Sequence, residues 1–269
     1  MLFASELFVT DHASFSLAGR LTGRDTVLLA LSAWGRNELF LKKVLAPVTA
    51  IADLVCVSFP TMWELPVDGR SSVDVLAAGL NEIRHAVGAG KRVVLLGESL
   101  GALVAMAAST TVPPHWAILL DPPRQLSKAA WIGEDVGAAI LRSSYRDFHR
   151  TMVPLMEDLF RGNACRKNEE LFAAALVALS HRCVIVGGDP SYQPSDPKLS
   201  DGPCCLTEAD LRTITERHGQ AVPVVQIAGA GHRLLNRHAA PVIQLIAQSF
   251  RDDHGASLAR AHTATGTQD

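Results

Sequence analysis

The sequence predicts an α/β protein built on a mostly parallel, doubly wound sheet with a helical insertion. Short, continuous runs of Val, Ile and Leu recur along the chain, the mark of strands covered on both faces. Helical patterns alternate with these runs, as βα units require. The rhythm breaks once, between residues 121 and 181, where helical periodicity continues without a strand.

Residues 5–9 and 14–18 are expected to form an N-terminal hairpin, since Phe15 and Leu17 alternate with small polar residues. Buried-strand candidates follow at 26–31, 54–59, 92–97, 116–120, 182–187 and 222–228, with Pro60 closing the second. Within the insertion, Ala129, Ile132, Val136, Ala139 and Ile140 fall on one helical face. So do Tyr145, Phe148, Met152, Leu155 and Leu159, with Pro154 a kink, and a third helical run covers 168–180. Such an insertion is expected to cap the carboxyl edge of the sheet, where open α/β sheets bind ligands. Thr207-Glu208-Ala209-Asp210 fits a capping box, and Gly219 fits the stop of the helix it opens. The expected organisation is a core of 1–120 and 182–250, a cap of 121–181, and a polar, Ala/Thr/Gly-rich tail of 251–269 that orders poorly.

A domain of 269 residues buries roughly three-quarters of its unfolded surface and needs no disulfide or metal to hold a core. The net charge is −2 and there is no long basic block, so nucleic acid is not an expected partner. Cysteines 56, 165, 183, 204 and 205 are odd in number; Cys56 and Cys183 lie in strand-like runs and read as buried free thiols. The adjacent Cys204 and Cys205 lack a CxxC partner, so no metal site is expected there. Residues 1–10 show no basic segment leading into a long apolar run. No signal peptide or membrane segment is expected, and a cytoplasmic enzyme is the default.

The chemistry is carried by Gly97-Glu98-Ser99-Leu100-Gly101, between the strand-like Val93–Leu96 and the alanine-rich stretch 100–109. A serine on a sharp strand-to-helix turn is the setting of a nucleophile elbow. With 18 serines and 20 glycines in the chain, a bare GxSxG arises by chance about 0.1 times, so further features must support it. One is His232, in Gly229-Ala230-Gly231-His232, on a loop after the last strand candidate. Small residues before a general base let its loop come close. His85, His115, His181, His218 and His238 lie in helical runs or at element edges instead. The other is an acid on a loop after a strand. Asp189, in Gly187-Gly188-Asp189-Pro190, is placed ahead of Asp121, which follows the strand 116–120 and leads into the cap. Gly-Asp-Pro is also ordinary turn chemistry. Glu98 beside the serine either disfavours anionic substrates or points away into a polar network, the latter being the simpler reading.

In the order Ser99, Asp189, His232, each after a strand, the chain resembles the α/β-hydrolase fold superfamily with a helical cap, from about residue 5 to 250. The resemblance implies catalysis by this triad and an oxyanion hole formed by the backbone N–H of Leu100 and of Trp34, with Ala33 in reserve. The loop here reads Ser32-Ala33-Trp34-Gly35-Arg36, where relatives often carry His-Gly. It further implies an acyl-enzyme mechanism without metal or organic cofactor, and none of HExxH, paired CxxC or a phosphate loop is present. Trp131, Phe148, Met152 and Met156 are candidates to line an acyl pocket, or else form the cap's own core. The expected substrate is a small-molecule acyl ester or thioester, free or on a carrier. A C–C-cleaving or non-hydrolytic enzyme and a ligand-binding protein retaining the fold are the competing readings.

Overall fold

The apolar runs become strands close to their predicted places. The computed structural model describes residues 2–33, 36–59, 72–124, 163–192 and 202–251. Its strands are β1 (Leu2–Val9), β2 (Ser14–Arg20), β3 (Thr26–Leu31), β4 (Asp53–Ser58), β5 (Arg92–Glu98), β6 (Trp116–Leu120), β7 (Cys183–Gly187) and β8 (Val224–Gln226). They form one sheet in the order β1-β2-β4-β3-β5-β6-β7-β8. The hairpin β1–β2 and the pair β2–β4 are antiparallel; every other pair is parallel.

The helices are α1 (Glu38–Val44), α2 (Ser72–Gly88), α3 (Leu100–Thr111), α4 (Asn163–Ala178), α5 (Glu208–His218), the single turn α6 (Leu234–Arg237) and α7 (Ala239–Arg251). Successive strand residues serve opposite faces. Leu28, Ala30, Leu54, Cys56, Leu96, Ile118 and Val184 pack with residues of α1 and α7. Leu29, Leu31, Val55, Val57, Leu95, Leu119 and Ile185 pack with residues of α2, α3, α4 and α5. Both faces are dry, which is why the central strands read as unbroken apolar runs. Helix α3 is buried from Leu100 to Ser109 between sheet, α2 and α4, and its alanines let it lie close.

Helix α4 departs from the sequence expectation. The sequence places its run in the cap, but Phe172, Ala175, Leu176 and the following Leu179 are buried in the core cluster with α3. An amphipathic pattern shows that a helix has an apolar face; the partner of that face is set by the fold. The other two helical runs expected in the cap lie within 125–162, outside the described residues, as does 252–269; α7 carries the core through Arg251. The Thr207–Asp210 capping box forms with both reciprocal bonds, and Gly219 ends α5 at φ 53°.

At the amino end of the sheet, Asp53 accepts from Thr22 N at 2.7 Å, Thr22 Oγ1 at 2.6 Å and Gly23 N at 3.3 Å, and pairs with Lys91 Nζ at 2.6 Å. Burial pushes its pKa up, but these hydrogen bonds and the Lys91 charge together outweigh burial and hold it at about 2, below its ordinary 3.8. A depressed folded-state value means stability that is complete above the ordinary pKa and lost as pH falls toward 2. Asp53→Asn is therefore expected to cost about 2 kcal/mol at neutral pH. In urea melts the gap from the wild type should close between pH 4 and 2; a pH-independent gap would contradict this assignment.

Candidate active site

The chain passes from β3 to β4 on one side and returns to β5 on the other, so the loops after β3 and β5 diverge at the carboxyl edge. A crevice opens at such a switch point. Ser99 stands there as the first residue after β5, with φ 55° and ψ −116°, a conformation that costs a non-glycine residue roughly 1–3 kcal/mol. The flanking glycines make the turn possible. A Cβ on Gly97 would strike the Gly101 carbonyl oxygen, and one on Gly101 would come within 2.6 Å of Leu31 O and 2.7 Å of Ser32 O. Gly101 therefore brings the loop after β3 against the elbow.

The register of β5 and β6 decides which aspartate meets the imidazole. Glu98 pairs with Leu120, and the ladder continues through Ser99 N–H donating to Leu120 O at 2.9 Å. Ser99 and Asp121 thus leave the sheet side by side, each with positive φ, 55° and 40°. His232 bridges them: Nδ1 lies 2.6 Å from Asp121 Oδ2 and Nε2 lies 2.8 Å from Ser99 Oγ. A carboxylate accepts, so Nδ1–H donates to Asp121 and Nε2 is left as an acceptor for the hydroxyl. All three side chains are buried.

Asp189 is not at the imidazole. It is two residues beyond β7, one strand further from the serine, and its carboxylate closes a surface turn instead. Oδ1 accepts from Ser191 N and Oγ at 2.9 and 2.6 Å, and Oδ2 accepts from Gly229 N at 3.2 Å. These bonds hold its pKa below the ordinary range. The order of acid and base along the chain suits Asp121 and Asp189 equally; only strand adjacency separates them. Asp189 braces the histidine loop from outside, its N–H donating to Ala230 O at 2.7 Å.

The segment 202–206 holds both Asp121 and His232. Cys205 N and Leu206 N donate to Asp121 Oδ2 and Oδ1 at 2.7 and 3.0 Å. His232 N donates to Gly202 O at 3.0 Å. A Cβ on Gly231 would collide with Gly202 O, which accounts for the small residue before the histidine. These backbone donors leave no trace in side-chain chemistry, so sequence reasoning passed over them. The Cys205 thiol lies against the His232 ring, Sγ to Nε2 3.9 Å, and complete burial, the dominant cause, raises its pKa well above the ordinary thiol value.

Glu98 points away from the serine, fully buried on the α1 side. Its Oε1 accepts from Leu235 N at 3.0 Å, and Oε2 lies 3.8 Å from Arg36 Nη1, an ion pair too long for a hydrogen bond. Burial raises its pKa, with Arg36 the largest opposing influence. Arg36 itself stacks on Phe40 at 4.4 Å. The polar-network reading of Glu98 fits this position, which ties the elbow to the loop after β3.

Leu100 is the first residue of α3, and the first N–H groups of a helix have no acceptor within it. Ala102 N and Leu103 N donate back to Ser99 O at 2.9 and 3.2 Å, and Leu100 stands at the positive end of the helix dipole. Ala33 is buried two residues beyond β3. Trp34, Trp131, Phe148, Met152 and Met156 lie outside the described residues. Among the described residues no helix is long and apolar enough to cross a membrane.

A mostly parallel sheet with a serine on a strand-to-helix turn defines a class of fold, and comparison with known sequences agrees. The model of the alpha/beta hydrolase family matches residues 14–245, so the chain belongs to that family. No curated protein sequence matches it. Among solved structures it resembles a haloalkane dehalogenase variant from Bradyrhizobium elkanii (TM-score 0.64, 14% identity, 96% of this chain and 98% of that one). It resembles a thermophilic esterase from Thermogutta terrifontis (TM-score 0.58, 17% identity, 93% and 99%). A thioesterase domain from the curacin biosynthetic pathway is similar too (TM-score 0.57, 15% identity, 90% and 98%). At these identities the likeness is one of fold.

Two acids in comparable sequence positions give a direct test of the site. Asp121→Asn is expected to lower kcat by about 10³–10⁴ on any substrate the chain turns over, through loss of the imidazole's orientation. Asp189→Asn should stay within about threefold, as expected of a surface turn residue, with at most a small loss of melting temperature. The reverse ranking would return the acid's role to Asp189.

Proposed function

We propose that the chain is a serine hydrolase that cleaves a carboxylic ester or thioester through an acyl-enzyme. The observation that carries the reading is the relay of Asp121, His232 and Ser99, joined at 2.6 and 2.8 Å, with the hydroxyl raised on a strained turn at the carboxyl edge of the sheet. His232 Nε2 takes the Ser99 proton as Oγ attacks the substrate carbonyl carbon. Asp121 holds the ring in the required tautomer and stabilises it as it becomes charged. The negative charge on the carbonyl oxygen falls to the Leu100 N–H at the positive end of α3, with a second donor from the loop 32–36. Losing one such donor costs about 10²–10³ in rate. His232 then protonates the leaving alcohol or thiol, activates water, and the acid is released. Both leaving groups are served by the same steps. The esterase and thioesterase among the structural neighbours are consistent with either at the level of fold.

Ser99 should be labelled covalently by a fluorophosphonate probe, and Ser99→Ala should lose labelling and at least about 10³ in turnover. Full turnover by Ser99→Ala would overturn the mechanism. A panel of p-nitrophenyl esters set against acyl thioesters of matching chain length assigns the leaving group by relative kcat/KM. Turnover of neither class would favour a non-hydrolytic or binding role.

A further inference from the structure

The Cys205 thiol has no part in the relay, yet it is aimed at the relay's reactive nitrogen. Asp121, Cys205 and His232 are the one cluster of three potential metal donors among the described residues; all are buried, with donor atoms within 4.8 Å of one another. We propose that Cys205 Sγ and His232 Nε2 form a binding site for a thiophilic divalent cation such as Zn²⁺ or Cd²⁺, and that occupancy blocks the nucleophile.

The geometry suits the donors. With metal–sulfur and metal–nitrogen bonds of about 2.3 and 2.0–2.1 Å at a tetrahedral angle, sulfur and nitrogen stand about 3.6 Å apart. Sγ and Nε2 stand 3.9 Å apart, so a small rotation of the thiol closes the difference. Asp121 does not compete as a direct ligand, since its oxygens accept from His232 Nδ1, Cys205 N and Leu206 N. It stands as the outer carboxylate that orients a metal-bound imidazole through the far ring nitrogen, the arrangement typical of histidine–metal sites. The contact that prepares Nε2 to accept a proton therefore also prepares it to donate its lone pair to a metal. Ser99 Oγ, 2.8 Å from Nε2, and solvent complete the coordination.

Binding is a ligand exchange without redox change. The metal–sulfur bond replaces the S–H bond, the proton goes to solvent, and the Nε2 lone pair passes to the metal. The base can then no longer take the Ser99 proton. A thiolate–imidazole pair selects soft or borderline cations, so Mg²⁺ and Ca²⁺, which prefer oxygen donors, should have no effect.

The blocking effect rests on the serine hydrolase reading, so the test reads metal binding separately from turnover. The full chain, freed of metal with a chelator, is titrated with Co²⁺ and followed by its thiolate-to-cobalt charge-transfer absorption. In parallel it is titrated with Zn²⁺ and followed by p-nitrophenyl ester hydrolysis. One equivalent of Co²⁺ should produce the band in wild type, Cys204→Ser and Ser99→Ala, and not in Cys205→Ser. Zn²⁺ should abolish turnover and EDTA restore it. Cys205→Ser, measured against its own metal-free rate, should need at least about 100-fold more Zn²⁺, the upper end of what loss of an outer-shell partner alone costs. Absence of the band from wild type, its persistence in Cys205→Ser, or undiminished turnover at saturating Zn²⁺ would each overturn the proposal. A band with no turnover of any ester or thioester would leave the metal site standing and bring down the hydrolase reading; turnover without a band would do the opposite.

Discussion

The parallel register between β5 and β6 sets the position of everything at the candidate site. Glu98 opposite Leu120 puts Ser99 and Asp121 on neighbouring strand ends, about one strand spacing apart, so a single imidazole spans them. Both residues adopt positive φ immediately after their strands, which lifts their side chains out of the sheet plane toward the same space. Strain of this kind persists only where the surroundings over-determine it. Here those surroundings are two ladder bonds, Ser99 N to Leu120 O and Asp121 N to Val186 O, and the dry cores on either face.

The supports converge from several directions. The loop after β3 is admitted by Gly101 and tied to the elbow through Arg36 and Glu98. The segment 202–206 holds Asp121 through two backbone N–H groups and the histidine loop through Gly202. Asp121 is fixed by backbone and His232 by a close loop contact, so neither depends on a flexible side-chain partner. That rigidity suits a preorganised electrostatic site, where the groups must not reorganise as charge develops. It also places the Cys205 side chain, whose own backbone N–H donates to Asp121, against the His232 ring.

Much of this was legible beforehand. The strands could be read because a sheet covered on both faces leaves no polar periodicity to confuse: Leu28 to Leu31 alternate between two apolar layers and so read as one run. The elbow was legible because its glycines answer a local steric demand, and the α5 capping box because its partners lie three residues apart. The packing of helix α4 and the aspartate that meets His232 were not. The apolar face of α4 fits a cap or a core equally well, and Asp121 and Asp189 both follow strands in the required order.

The amino-acid pattern alone thus specified an α/β sheet with a serine elbow and a histidine late in the chain, since these follow from contacts between near neighbours. Which aspartate meets that histidine, where α4 packs and what surrounds Cys205 were settled by pairings between residues far apart in sequence. Asp121 and His232 are 111 positions apart, and only the strand order β5-β6-β7 makes Asp121, and not Asp189, the neighbour of Ser99. Chain order places each residue after a strand; adjacency within the sheet is a property of hydrogen-bonded packing and cannot be read from a linear string.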